Sequence, residues 1–296
     1  NQSGVIDMSV TDAGAASIGP FVAGGSALEL KTNASGSGVA TRLKIDSSGR
    51  VLIGTPSTSD TAFLVVKGNT TGSGQQGEML LLNGASPIEQ NYGLGQISFG
   101  GGTGDQISSK IQGFADHDWN TGADGTDSPG RLVFFTTPDG SATPTEKLRI
   151  SSEGYITKPL NPVFNAFGGP SNVATNTDIV FGQERFDVGG GYNTSTGEYT
   201  APASGYYHFY AQVYRQTTEN DAWWGFYYDS GSGYAQISES RLENDYGGDS
   251  GRGYSTLQSS IYWYMAAGQK MKCRVGNVGA IHCNTTLSYF CGNLIG

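Results

Sequence analysis

Tyr199-Thr200-Ala201-Pro202-Ala203-Ser204-Gly205-Tyr206-Tyr207-His208-Phe209 decides the fold of the last third of this chain. An aromatic residue, a Pro/Ser/Gly turn, and then Tyr207 and Phe209 two apart describe a turn delivering a strand with one buried face. The alternation continues to Val213. It sets Tyr207, Phe209 and Ala211 on one face and Tyr206, His208, Tyr210 and Gln212 on the other. Across Thr256–Met265 the residues Leu257, Ile261, Trp263 and Met265 share a face, and Tyr262 and Tyr264 oppose them. A sheet wet on one side would make the opposing set simply polar. Aromatics on both faces predict that both are covered, one by a core and one by something else.

Composition extends the β reading to the whole chain. Gly supplies 46 of 296 residues without a Gly-X-Y period, which excludes collagen and leaves abundant turns. Only 15% of residues are charged against 36% hydrophobic, a balance unlike that of long disordered chains. Nothing shows helical periodicity over ten residues. Short alternating runs predict strands at 27–32, 41–45, 50–53, 62–67, 78–83, 95–99, 110–114, 131–136, 146–150 and 155–158. A net charge of −9 argues against nucleic acid, which demands a positive surface. No apolar run approaches the roughly 20 residues that span a bilayer. The chain starts Asn1-Gln2-Ser3-Gly4 and reads as a piece of a longer protein.

One internal repeat stands out. Arg42-Leu43-Lys44-Ile45-Asp46-Ser47-Ser48-Gly49 aligns with Lys147-Leu148-Arg149-Ile150-Ser151-Ser152-Glu153-Gly154, and a short strand follows each. Gly49 and Gly154 sit where a hairpin turn needs positive φ. The copies are too far apart for a solenoid and instead end two successive modules, 1–55 and 56–160, ahead of a head at 161–296.

Those hairpins, with Gly130–Gly140 and Glu146–Ile150, resemble the shafts of bacteriophage tail fibres, in which three chains intertwine. The last segment resembles the globular head of the complement component one q subunit and related TNF-like jelly rolls. Val163-Phe164-Asn165-Ala166-Phe167 looks like its opening strand. Phe186, Asn193, Tyr199, Gly205, Tyr207 and Phe209 follow its order of aromatics and glycines, and Leu287–Gly296 looks like its closing strand. One extra residue between Phe186 and Asn193 departs from that pattern. The resemblance implies an all-β protein, an elongated trimeric shaft ending in a TNF-like jelly-roll β-sandwich. It implies a homotrimer joined to upstream fibre or tail proteins, with Tyr206, His208, Tyr210, Tyr262 and Tyr264 toward the subunit interface.

The expected function is host-cell attachment by a virion tail fibre, assembled in the host cytoplasm and acting outside the cell. Loops two strands apart in an antiparallel meander emerge at one end. Glu219, Asp221, Trp223, Trp224, Asp245, Tyr246, Asp249 and Arg252 therefore form the expected receptor site at the tip. Flat aromatic faces and planar polar groups suit a cell-surface glycan, and a protein receptor is the other option. Adjacent strand residues face opposite ways, so one of Trp223 and Trp224 points away from the core. No cofactor is expected, although Asp221, Asp245 and Asp249 could hold calcium, which takes six to eight oxygens. Asp116-His117-Asp118-Trp119 reads as an exposed turn.

No nucleophile elbow, Walker loop or His-Glu-x-x-His run is present, and the chain is expected not to be an enzyme. Cys273, His282, Cys283 and Cys291 match no common zinc spacing, and the odd cysteine count is not a disulfide framework. Cys273 alternates with Met271 and Val275 and reads as a buried apolar residue. Rival readings are a capsule-degrading spike using a carboxylate pair, a purely structural fibre, and a bacterial surface adhesin.

Overall fold

A computed structural model describes residues 27–33, 39–55, 57–59, 61–68, 77–104, 106–119, 127–170, 173–215, 221–243, 255–277, 281–282 and 287–296. All its named elements are strands. The chain forms two compact units, Asn1–Ser86 and Pro87–Gly296. The first holds β1 (Leu28–Asn33), β2 (Val39–Ile45), β3 (Val51–Ile53) and β4 (Leu64–Val66), side by side in that order. β1, β2 and β3 run antiparallel, whereas β4 joins β3 in parallel. This sheet therefore extends past the expected module end at residue 55. A parallel neighbour arrives through a crossover, which local alternation cannot reveal.

Within β2–β3, Asp46 N–H donates to Arg50 O at 3.0 Å and Gly49 N–H to Asp46 O at 2.9 Å, with Gly49 at φ 77°. The Asp46 carboxylate accepts the Ser48 and Arg50 amides and Arg50 Nε, which fixes the loop. The second unit opens with an antiparallel meander of β5 (Gly93–Gly101), β6 (Gln106–Ala115), β7 (Gly130–Thr136), β8 (Thr145–Ile150) and β9 (Ile156–Thr157). Its last hairpin repeats the first. Ser151 N–H donates to Tyr155 O at 3.0 Å, Gly154 N–H to Ser151 O at 3.0 Å, and Gly154 has φ 85°. Here the Ser151 hydroxyl replaces the Asp46 carboxylate as the acceptor of the strand amide. The repeat in sequence is a repeat of backbone geometry.

Among the described residues, twelve strands build the head. They are β10 (Val163–Phe167), β11 (Gln183–Val188), β12 (Tyr192–Asn193), β13 (Glu198–Thr200), β14 (Gly205–Arg215), β15 (Asp221–Asp229), β16 (Tyr234–Gln236), β17 (Ser240–Glu243), β18 (Ser255–Met265), β19 (Lys270–Asn277), β20 (Ile281–His282) and β21 (Tyr289–Leu294). One sheet runs β11-β10-β21-β14-β18 with β20 beside β14; the other runs β12-β13-β19-β15-β16 with β17 beside β15. The head's first and last strands pair, Val163 opposite Asn293 and Phe167 opposite Tyr289, so it closes on its own terminus. The chain changes sheets from β11 to β12, β13 to β14, β14 to β15, β17 to β18, β18 to β19 and β19 to β20. That is a double-sheet jelly roll.

The inward alternation fills the sandwich. Phe164, Tyr207, Phe209, Trp224, Phe226, Met271, Cys273 and Phe290 are fully buried. The Phe164 ring stacks on Tyr199 at 4.5 Å and meets Phe290 edge-on at 4.8 Å. Each such pair contributes about 0.5–1.5 kcal/mol beyond area burial. This closed core fixes which side chains of β14 and β18 must point outward.

Candidate functional site

The outer face of the first sheet is an aromatic ladder. Because Tyr207, Phe209, Ala211 and Val213 point inward, Tyr206, His208, Tyr210 and Gln212 point out. Register sets them against β18, with Tyr206 opposite Tyr264, His208 opposite Tyr262, Tyr210 opposite Ser260 and Gln212 opposite Gln258. Tyr206, Tyr262 and Tyr264 are 59%, 70% and 53% exposed, whereas His208 and Tyr210 are half-buried. The Tyr206 and Tyr264 rings meet edge-on at 5.4 Å, and His208 stacks on Tyr262 at 4.7 Å. These contacts hold the rings in place before any partner arrives.

Three further residues complete this face that sequence reasoning did not single out. Ser260 Oγ lies 2.7 Å from His208 Nε2. Gln258 Oε1 accepts the Tyr210 hydroxyl at 2.7 Å. Tyr289 stacks on Tyr210 at 5.6 Å, and burial, reinforced by Tyr289, pushes the Tyr210 phenol up to about 12. The available signal was the parity of β18: Gln258 and Ser260 share the register of Tyr262 and Tyr264. Tyr289 could be found only by knowing that β21 pairs with β14.

The outer face of the second sheet has a different chemistry. Lys272 is only 7% exposed. Its ammonium lies 3.5 Å from the Tyr234 ring centroid and 2.8 Å from the Asp178 carboxylate. The Tyr234 hydroxyl donates to Glu198 at 2.6 Å, and Lys270 reaches the same carboxylate at 3.1 Å. The Glu198 carboxyl is held below the usual carboxylate range, chiefly by that Tyr234 hydrogen bond. The charges of this face pair within the chain, Lys272 with Asp178 and Lys270 with Glu198; the first face is aromatic and open.

At one end of the sandwich several strand ends meet. Arg215 of β14 lies opposite both Ser255 of β18 and Ile281 of β20. In the other sheet Asp221 lies opposite Glu243, and Trp223 opposite both Arg241 and Asn277. The segments 216–220, 244–254 and 278–280 leave from these ends. Of the expected receptor residues, Glu219, Asp245, Tyr246, Asp249 and Arg252 lie outside the described residues, and so does most of the calcium set.

The two tryptophans separate. Trp224 is fully buried, with Nε1 donating to Leu257 O at 3.3 Å. It packs the core and cannot meet a receptor, which corrects its place in the expected site. Trp223 is half-buried, and its ring lies where a Cβ on Gly276 would fall. Cys273 is buried between the sheets, whereas Cys291 sits beside Tyr210 on the outer face of the other sheet, so the two thiols do not share a site.

No protein-family model matches the chain, and no curated protein does. Among solved structures it is similar to Eiger TNF from S. frugiperda, with 14% identity, 46% of this chain and 94% of that one covered, and a TM-score of 0.40. It is similar to murine APRIL at pH 5.0, with 10% identity, coverage of 46% and 99%, and a TM-score of 0.39. The globular domain of zebrafish complement 1qA protein aligns at 12% identity, coverage of 46% and 98%, and a TM-score of 0.35. The jelly roll itself rests on the strand order and register within this chain.

Proposed function

We propose that this chain is a homotrimeric, non-catalytic attachment protein, a phage tail fibre whose head binds a cell-surface receptor through its tip. The observation that supports this is the aromatic outer face of the first sheet. Contiguous exposed aromatics mark interaction surfaces, and tyrosine is enriched at interfaces because it combines apolar area with a polar end. Other copies of the head are the natural cover, since the charges of the second sheet's face already pair with one another within the chain. The copy number of three follows from the TNF-like resemblance.

Such an assembly repeats the tip loops around one axis. A weak site shown several times gains avidity without any single strong contact. Trp223, at the edge where those loops depart, is the described residue best placed to meet a sugar ring. The test is binding of the full chain to a glycan array, with and without calcium, beside a Trp223→Ala, Asp245→Ala, Tyr246→Ala variant. The expected result is loss of glycan binding with the oligomeric state unchanged. Undiminished binding by the variant would sink the tip assignment. Release of reducing ends from host polysaccharide would sink the non-catalytic reading.

A further inference from the structure

Asn83-Gly84 is the one Asn-Gly pair in the sequence. Asn83, Gly84 and Ala85 are all exposed and lie outside the named strands. The Ala85 amide donates to Asn83 Oδ1 at 2.9 Å. Such a bond folds the side chain back along its own backbone, which brings its carbonyl round toward the peptide nitrogen of the intervening Gly84. A Cβ added to Gly84 would meet nothing within 4 Å, so nothing crowds that nitrogen. Among the described residues, no turn or loop hydrogen bond holds the Gly84 amide.

Asn193 makes the same turn with a different neighbour. It too is exposed, and its Oδ1 accepts the Ser195 amide, also at 2.9 Å. Residue 194 is threonine, whose branched Cβ crowds its own amide nitrogen. Asn193 is also anchored in β12, and its backbone carbonyl accepts the Gly197 amide at 2.8 Å. The chain thus holds two like side-chain turns that differ in the following residue and in how firmly the backbone is held.

We propose that Asn83-Gly84 is a site of spontaneous covalent modification, at which Asn83 converts to aspartate and isoaspartate through a cyclic imide. The Gly84 amide loses its proton to hydroxide, and its nitrogen attacks Asn83 Cγ. Negative charge develops on Oδ1, where the Ala85 N–H already points and stabilises it. The new N–Cγ bond forms, the Cγ–Nδ2 bond breaks, and ammonia leaves with a proton taken from water, which restores the hydroxide. Water then opens the imide at either carbonyl. The carbonyl it attacks decides between aspartate and isoaspartate. Overall, water is consumed and ammonia released, with no oxidant, reductant or cofactor. Each conversion sets a new carboxylate directly after the apolar run 79–82, and the isoaspartate product adds a carbon to the main chain there. None of this depends on the head or on its receptor.

The test is storage of the purified full chain, followed by peptide mass spectrometry over time. The peptide holding Asn83 should gain the mass of amide-to-acid conversion, with isoaspartate identified by electron-transfer fragmentation. The peptide holding Asn193, from the same sample, should not. Conversion at Asn83 should accelerate from mildly acid to mildly alkaline buffer, because the attacking nitrogen must first lose its proton. A Gly84→Val variant, which copies the branching of Thr194, should lose the conversion. Gly84 is exposed and outside the sheets, so the fold should tolerate that change. An unchanged Asn83 in the stored parent would overturn the proposal. So would equal conversion at Asn83 and Asn193, or undiminished conversion in Gly84→Val. The comparison of the two asparagines needs no variant, so it decides the matter even if the Gly84→Val chain fails to fold.

Discussion

Asp116 joins distant turns of the β5–β9 meander through one carboxylate. One oxygen accepts the Ser152 amide at 3.0 Å and its hydroxyl at 2.9 Å; the other takes Arg131 Nη1 at 3.0 Å. Arg131 reaches on to Asn91 Oδ1 at 2.7 Å, and its guanidinium lies 5.0 Å from the Phe114 ring centroid. A residue that reads as part of an exposed turn is thus a clasp, because its partners are 15 and 36 residues away. The Ser152 amide, followed by the Ser152 hydroxyl and Arg131, holds the carboxyl below its ordinary range. A carboxyl lowered on folding stabilises the protein above its unfolded pKa, about 3.9, and that contribution fades as pH falls through the folded value. Asp116→Asn should therefore cost about 1–3 kcal/mol at pH 7 and progressively less below pH ~4. Urea denaturation of parent and variant at pH 7 and pH 3 checks this; a cost independent of pH would contradict the ionised clasp. The tryptophan pair shows what residue-scale reading can reach. Phe226 and Tyr228 share the parity of Trp224, which marks the buried side, but Tyr227 makes the opposite face aromatic too, so parity alone left the choice open.

At the level of elements, the paired hairpins separate conformational cost from crowding. An added Cβ on Gly49 or Gly154 would meet nothing within 4 Å, yet both residues have positive φ. Alanine there should be disfavoured by backbone conformation alone, by about 1–2 kcal/mol. Asparagine, which visits the left-handed region more readily, should cost less. Chemical denaturation of Gly154→Ala beside Gly154→Asn measures the difference, and equal costs would mean the turn relaxes to another type. The hairpins were legible in the sequence because their signals are local: a basic-apolar alternation, a polar turn, a glycine. All the expected strands before residue 160 formed except 78–83. Among the described residues that segment joins no named sheet, because its apolar run fixes no register with a neighbour. The parallel β3–β4 pairing escaped for a related reason, since it depends on a crossover. The expected meander does not join β14, β15, β18 and β19: β14 pairs with β18 and β15 with β19, in separate sheets, and the loops they launch carry no periodicity to read.

The whole molecule divides its stabilisation unevenly. Among the described residues, the head buries one cluster of 20 apolar side chains between its sheets, and none of Tyr206, Tyr262 and Tyr264 belongs to it. Folding of the head and association through its aromatic face should therefore be separable. Placing carboxylates in the ladder, Tyr262→Asp with Tyr264→Asp, removes aromatic area and sets like charges opposite one another between copies. Both side chains are more than half exposed within one chain, so the sandwich itself should tolerate the change. Anything that binds only the folded state raises apparent stability by mass action, so the parent head transition should move to higher temperature as protein concentration rises. In the double variant that dependence should vanish while the far-ultraviolet β spectrum remains. Sedimentation equilibrium of the full chain at micromolar concentration should read three copies for the parent ladder and fewer for the variant. A ladder variant that still associates would move the interface elsewhere on the head; a variant that loses its β spectrum would show that the outer face takes part in folding. Tyrosines in that position would then hold the sandwich together from outside, and the aromatic face would no longer argue for other copies.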